Sequence, residues 1–193
     1  MINIYRTDDR IISEIDQYMA GAWVKLTAPT LEECAEISDS FHMDIADVRA
    51  ALDDEESSRI NLEDDYTLIL VDIPSAEMRN NRHSYTTIPL GILIAEDVVI
   101  TVCAEETAVL RSFVEQRVRD FSTKKQMRFT YQVLYNACMV YQSLLRSIDR
   151  KRTEIEERID KNTEDVDLID LHELESNLVY FATSLRANGV VLD

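Results

Sequence analysis

MRFTYQVLYNACMVYQSLLRSIDRKRTEIEERIDKNTEDVDLIDLHELESNLVYFATSL, residues 127–185, is the stretch from which the fold is read. Apolar or ring-bearing side chains recur at Met127, Tyr131, Leu134, Cys138, Tyr141, Leu145 and Ile148, then at Ile155 and Ile159. The spacing alternates between four and three residues and is interrupted once, at Arg152. After Asn162-Thr163 it restarts with Leu171, Leu174, Leu178, Phe181 and Leu185. A sustained repeat of 3.5 residues predicts long helices with a narrow apolar seam. Two such helices joined by a polar break predict an antiparallel hairpin.

The rest of the chain is of another kind. Its 193 residues suffice for one sizeable core, or one core with an appendage. A hydrophobic content of 46% with only three glycines and three prolines predicts an ordered, helix-rich protein. Cys34, Cys103 and Cys138 are far apart, odd in number and embedded in apolar patterns. They outline neither a disulfide framework nor a zinc knuckle, and a reducing cytoplasm is their simplest setting. Ile2 to Tyr5 alternates like a strand and has no signal-peptide character. The most apolar window, 88–104, is broken by Glu96-Asp97 and is too short to span a bilayer, so these residues predict a soluble protein.

The net charge of −17 is unevenly placed. Residues 1–110 carry 7 basic and 23 acidic side chains, residues 111–152 carry 10 and 3, and residues 153–193 carry 3 and 11. Such a chain is a poor partner for nucleic acid, which needs a basic face to displace counterions. Cations suit its acidic parts, and its basic middle suits acidic parts of the same chain or of a neighbour.

In chain order, Ile2–Tyr5 and Trp23–Leu26 read as strands separated by a polar connection. Pro29-Thr30-Leu31-Glu32-Glu33 is a helix start with a capping box between Thr30 and Glu33. Leu31, Cys34, Ser38 and Phe41 should then share a face. Asp44 starts a shorter helix carrying Ile45, Val48 and Leu52. Strands are expected at Arg59–Leu62 and Tyr66–Ile73, the latter ended by Pro74, with a loop at Asn80–His83. Tyr85–Ala95 and Val98–Cys103 should form a hairpin over Glu96-Asp97, followed by a helix from about Thr107 to Phe121. This order predicts an α/β fold: residues 1–122 form a layered α/β domain and residues 123–193 the helical hairpin.

Catalytic signatures are missing from this pattern. It contains no nucleophile elbow, P-loop or dinucleotide glycine motif, and His42, His83 and His172 stand alone in different elements, so an enzyme is not expected. The densest carboxylate group is Asp53-Asp54-Glu55-Glu56. Two like charges about 4 Å apart repel by roughly 1 kcal/mol in water and by about 4 kcal/mol at an effective dielectric of 20. Mg2+, which binds through one or two carboxylates and keeps several waters, would relieve that repulsion. The plainer reading is a solvated loop whose acids oppose Arg59. If the helix before the run continued, Asp47 and Asp54 would share its face, and Asp47, Asp53, Asp54, Glu55 and Glu56 are the candidate metal ligands. A second acidic group, from Glu154 to Asp170, interleaves with Ile155 and Ile159 as a solvated helix flank does.

The hairpin seam offers about a dozen apolar side chains worth roughly 1.5–3 kcal/mol each when buried. Ordering its residues costs about 1–2 kcal/mol apiece before bonding and packing offset it. It should therefore pack on the α/β domain, on another copy, or on further helix.

Several short motifs, in order, resemble the cytoplasmic N-terminal part of the CorA family of magnesium and cobalt transporters. They are Trp23-Val24-Lys25-Leu26 with Pro29-Thr30-Leu31-Glu32-Glu33, Leu52-Asp53-Asp54-Glu55-Glu56 leading to Arg59-Ile60, Tyr85-Thr86-Thr87-Ile88-Pro89-Leu90-Gly91 with Val99-Ile100-Thr101-Val102, and residues 174–186. The resemblance implies an α/β/α sandwich with a mixed sheet followed by two antiparallel "willow" helices. It also implies a stalk, two membrane helices and a Gly-Met-Asn pore signature, none of which this sequence contains, so these residues alone are not expected to conduct ions. In the family, five copies form a funnel on the cytoplasmic face of the cell membrane, and Mg2+ bound between subunits favours the closed state. The implied role is a regulatory domain for transport of Mg2+, Co2+ or another divalent cation. Its implied partners are other copies of the chain in a homopentamer and the cations themselves, with membrane contact only through the helices beyond this sequence. One departure is visible: Ala50, beside Arg49, stands where the family places a sensing carboxylate, and Asp47 or Asp54 lies about a turn away. The alternative is a soluble interaction module that kept this fold and lost transport.

Overall fold

A computed structural model of the chain describes residues 1–79, 82–159 and 165–192. Seven strands form one mixed sheet: β1 (Ile2–Asp8), β2 (Ile11–Ile15), β3 (Ala22–Thr27), β4 (Arg59–Leu62), β5 (Tyr66–Arg79), β6 (Arg82–Ala95) and β7 (Val98–Cys103). Their order is β2-β1-β3-β7-β6-β5-β4, and β3–β7 is the parallel pair. One face carries α1 (Leu31–Phe41), α2 (Ile45–Arg49) and a 3-10 turn at Ala50–Leu52. The other carries α3 (Ala108–Val114), α4 (Gln126–Ile159) and α5 (Asp165–Leu192). The result is the expected α/β/α sandwich with a long helical hairpin.

Strand alternation divides the core in two. Val24, Leu26, Leu68, Leu70 and Ile100 face Cys34, Ile37 and Val48 of the first helical layer. Trp23, Ile69, Val71 and Val99 face Phe113, Phe129 and Val133 of the second. Trp23 is the centre of that second core. It is fully buried, its indole N–H donates to Thr101 Oγ1 at 2.8 Å, and its ring meets Phe113, Phe121 and Phe129 edge-on with centroids 5.1–6.2 Å apart. Phe129, Val133 and Ala137 of α4 belong to this cluster, so the base of the hairpin and the sheet share one core. Thr7 and Thr123 fasten the approach to α4, each backbone N–H donating to the other's hydroxyl at 3.0–3.1 Å. Gly21, at φ +76°, lets Lys124 cross there; a Cβ at Gly21 would stand 2.8 Å from Lys124 Cγ.

The capping box forms as expected, with Thr30 Oγ1 accepting from Glu33 N and Glu33 Oε2 accepting from Thr30 N. Several expectations are corrected. Leu31 is exposed; Cys34 is buried as expected, and Ile37 rather than Leu31 is buried with it. The polar connection after β1 contains a strand, β2, hydrogen-bonded to β1. The helix after Thr107 ends at Val114, followed by left-handed backbone at Gln116 and Asp120. The loop expected at Asn80–His83 is corrected in its second half, because Arg82 and His83 open β6; Asn80-Asn81 and Asn162-Thr163 lie outside the described residues.

The largest correction concerns β5, which runs through Pro74 to Arg79. β5 pairs with β6 along its whole length, whereas β4 accompanies it only to Leu70 and β7 accompanies β6 only from Leu90. Beyond those points both outer edges of the β5–β6 ribbon are open. Asp72 lies opposite Pro89, and its backbone N–H and C=O turn outward to the open edge. Pro74, two residues on, shares that orientation, and Pro89 turns its nitrogen to the open edge of β6. Each proline's missing N–H therefore leaves no ladder bond unmade.

Helix α5 fills what the edges lack. Asn188 Oδ1 accepts from Asp72 N at 2.8 Å and Asn188 Nδ2 donates to Asp72 O at 2.7 Å, replacing a missing strand. Ser58 Oγ also donates to Asn188 Oδ1, and the Tyr141 hydroxyl of α4 donates to Asp72 O at 3.1 Å. At the other edge Asn177 Oδ1 accepts from Tyr85 N at 3.3 Å, and the Ser184 and Thr87 hydroxyls pair between these two anchors. Asn177 and Asn188 are separated along α5 by about 16 Å at 1.5 Å per residue, so the helix reaches from one open edge of the ribbon to the other.

Asn188→Ala leaves Asp72 N–H without its partner and Asp72 C=O with the Tyr141 hydroxyl alone, and is expected to cost about 1–3 kcal/mol. A lower urea midpoint at unchanged slope checks this. The Asp72 side chain behaves in the opposite way. Burial pushes its carboxyl pKa up, only partly offset by the Ser184 hydroxyl. A raised folded-state pKa means stability that is present below the ordinary carboxyl value and lost as pH rises, so the carboxylate opposes folding at neutral pH. Asp72→Asn is therefore expected to leave the midpoint at pH 7 unchanged or higher, and to flatten its dependence on pH above 4.

Candidate functional site

The acidic segment between α2 and β4 is built from two short turns. Asp44 caps α2 through Oδ1, which accepts from Ala46 N at 2.8 Å. The helix ends at Arg49 and tightens into the 3-10 turn before Asp53 takes extended backbone at φ −101°, ψ 114°. The helix thus stops short of Asp54, and the face expected to be shared by Asp47 and Asp54 is not formed. The physical reason lies in Ala50, Ala51 and the neighbouring core. Both alanines are buried against the sheet, which requires the chain to turn inward there. Ala50 is 6% exposed, so the position at which the resemblance expects a sensing carboxylate is a core position in this chain.

The five candidate ligands fall into two groups. Asp47 Oδ2 accepts from the Tyr66 hydroxyl at 2.7 Å, and that same hydroxyl accepts from Asp44 N at 3.2 Å. Glu56 pairs with Arg59 and accepts from Ser57 N at 3.1 Å. These two carboxylates are occupied in holding the segment. Asp53 Oδ1 accepts from Glu55 N at 3.0 Å and closes a turn at the exposed corner. Asp54 and Glu55 are exposed there, with no ion pair on either among the described residues. Arg59 opposes Glu56, as the plainer reading expected. Among the described residues no three His, Cys, Asp or Glu side chains converge closely enough to hold a metal ion.

Sequence reasoning missed Tyr66 as a member of this site. The sequence marks it only as the start of a strand, because its hydroxyl's role depends on β5 passing beneath α2. Burial, reinforced by Asp47, pushes the Tyr66 phenol up to about 12.

The layered sheet with its helical hairpin is the fold of a solved CorA soluble domain. It superposes on the soluble domain of CorA from Methanocaldococcus jannaschii with a TM-score of 0.83, 21% identity, and coverage of 97% of this chain and 76% of that one. The complete CorA magnesium transporter of the same organism gives the same TM-score at 20% identity, over 100% of this chain and 61% of that one. In sequence, the cobalt/magnesium transport protein CorA of that organism is 24% identical over 174 residues, or 88% of this chain and 53% of the relative. The family described as CorA-like Mg2+ transporter protein matches residues 19–193, and the chain belongs to it. The chain spans about half the length of that curated relative. Among the described residues no helix is long and apolar enough to cross a membrane.

Tyr66→Phe removes the donor to Asp47 and the acceptor of Asp44 N–H. The expected cost is about 1–2 kcal/mol. Because the folded phenol's pKa is raised, its contribution is complete below the ordinary value of 10 and lost as pH rises towards 12. Alkaline denaturation followed by circular dichroism should therefore be less steep over that interval in the variant than in the parent protein.

Proposed function

We propose that this chain is the regulatory cytoplasmic domain of a CorA-type divalent-cation transporter, serving Mg2+ or Co2+ from the cytoplasmic face of the cell membrane and performing no catalysis. The observation that carries the reading is the family match over residues 19–193, which takes in both the sheet and the hairpin. The named relative is a cobalt/magnesium transport protein, which supports those two cations as cargo. Copies of the chain associate, as the homopentamer of the family implies, so that ligands from two subunits meet.

Within that reading, the cation contact lies at the exposed corner of Asp53, Asp54 and Glu55. Asp47 and Glu56, held by Tyr66 and Arg59, position the segment without giving up their own bonds. Carboxylates that keep Mg2+ largely hydrated bind weakly, and a site completed by a neighbour is weaker still in a single copy. Binding relieves repulsion within the acidic run and raises the stability of the occupied state.

The test is an Mg2+ titration followed by backbone NMR and thermal unfolding. Amide shifts confined to 53–56 and a rise in Tm with a midpoint of about 10⁻⁴–10⁻³ M are expected, by analogy with weak oxygen-ligand sites. Asp54→Asn with Glu55→Gln should abolish both while leaving the metal-free Tm unchanged or higher. Unperturbed amides at 53–56 at Mg2+ concentrations well above that range would remove the sensing role from this corner.

A further inference from the structure

The turn between β6 and β7 forms one wall of a cavity of about 340 Å³. Another wall is aromatic. Tyr18 and Phe41 both line the cavity, their ring centroids 5.2 Å apart and their planes at 77°, so two rings stand nearly at right angles. The Tyr18 hydroxyl donates to Glu36 Oε1 at 3.1 Å, which fixes that ring. Met19 adds a half-exposed thioether, and Ala95 and Val98 add further apolar surface. The Met19 sulfur already meets a cation, since Arg6 Nη1 donates to it at 3.8 Å, although Arg6 does not line the cavity. Two carboxylates complete the lining, Glu96 and Asp97. Both are exposed, and neither has an ion pair among the described residues. The turn that carries them is pinned through its backbone: Gly21 N–H donates to Asp97 O at 2.7 Å, and Gln126 Nε2 donates to Ala95 O at 2.7 Å. Phe41 ends α1, so the cavity also lies at the C-terminus of that helix, whose last turn holds no basic side chain. A helix end of that sign attracts cations.

We propose that this cavity binds a small organic cation, a methylated ammonium compound of about the size of choline. Ring faces, free carboxylates and a helix C-terminus are three sources of negative potential, and here they border one space. Aromatic rings attract such ions through their negative faces, most strongly where water is displaced. The apolar part of the lining selects among cations. A hydrated Mg2+ keeps most of its waters and gains nothing from rings and a thioether. A lysine ammonium is likewise compact and strongly hydrated. A methylated ammonium carries its charge beneath an apolar surface, which suits both kinds of wall. Ligand pockets run from about 300 to 1,000 Å³, so this one takes a small molecule. Few contacts mean weak binding, with a dissociation constant of about 10⁻³ M. The site stands apart from the transport reading, because it shares no residue with the corner of Asp53, Asp54 and Glu55.

Choline is the probe, titrated into the full chain at constant ionic strength, with the Met19 methyl and Tyr18 ring NMR signals as the readout. Saturable shifts of both are expected, with a dissociation constant of about 10⁻³ M. The carbon isostere of choline, with a quaternary carbon in place of nitrogen, has the same shape without the charge. It should bind about tenfold more weakly or not at all. Nα-acetyl-lysine amide, which presents an ammonium as a protein side chain would, should also bind more weakly than choline. Glu96→Gln with Asp97→Asn should weaken choline severalfold, and Phe41→Leu about tenfold. Matching circular dichroism and Tm establish that the variants are folded, and Tyr18→Leu, followed at Met19, replaces Phe41→Leu if it is not. Four results overturn the proposal. Equal binding of the carbon isostere would make the cavity a plain apolar groove. Tighter binding of the lysine derivative would assign it to a basic peptide. Parent-like binding by both the amide and the ring variants would place choline elsewhere on the chain. The absence of any saturable shift up to about 0.1 M choline would remove the site itself.

Discussion

The β5–β6 ribbon outgrows both its neighbours, and the second half of the chain is arranged to satisfy what that leaves open. Two edges of unpaired N–H and C=O groups are a template for unwanted strand pairing unless something covers them. Here the prolines at 74 and 89 remove two donors at positions that have no ladder partner. Asn188 of α5 returns both bonds to Asp72, Tyr141 of α4 adds a third, and Asn177 serves Tyr85 at the opposite edge. The hairpin is thereby joined to the sheet by directional bonds as well as apolar contact. That joint holds the hairpin to the same sheet that carries the α1–α2 layer and the acidic corner on its other face.

This arrangement explains why periodicity alone placed the seam of α4 only in part. In its upper half the expected Tyr141, Ile148 and Ile155 are buried, packed with Leu174 and Phe181 of α5 as a helical pair should be. In its lower half Met127, Tyr131 and Cys138 were expected inward and are exposed, and Phe129, Val133 and Ala137 are buried instead. The lower helix packs on a sheet and an aromatic cluster, so its buried side chains step by four and the stripe winds around the helix to meet the seven-residue seam above. A repeat extrapolated downward from the upper half lands on the wrong face. In α5, Leu174 and Phe181 hold while Leu178 and Leu185 are exposed, because their neighbours Asn177, Ser184 and Asn188 take the inward positions. A search for apolar residues passes over an interface made of amides and hydroxyls.

Local chemistry was legible where it is decided within a few residues. The Thr30–Glu33 box, the Asp44 cap and the β6–β7 hairpin over Glu96-Asp97 depend only on neighbours in sequence, and each forms as expected. The passage of β5 through Pro74 could not be read this way, since it depends on where a different strand, β4, runs out. The same holds for the candidate site. The carboxylates were visible as residue types, but Tyr66 as the holder of Asp47, and Ala50 as a core residue, follow from the packing of α2 over the sheet.

The inward Ala50 also bears on where charge can stand in this layer. A carboxylate there would stand in the apolar cluster that also holds Val48, Leu68 and Leu93, where an unpaired charge is costly and would return to solvent or take up a proton. With alanine the layer packs closely, and the nearby carboxylates stand at the exposed corner after the 3-10 turn. That corner is joined to the buried Ala50 through Asp53 N–H, which donates to Ala50 O at 3.2 Å, and to β4 through the Glu56–Arg59 pair, while Ser58 touches Asn188 at the far end of α5. The chain from Asp53 to Ser58 therefore links the acidic corner to the residue that closes the open edge of β5. Asp54 and Glu55, the exposed charges of that corner, thus stand four and three residues from the serine that meets Asn188.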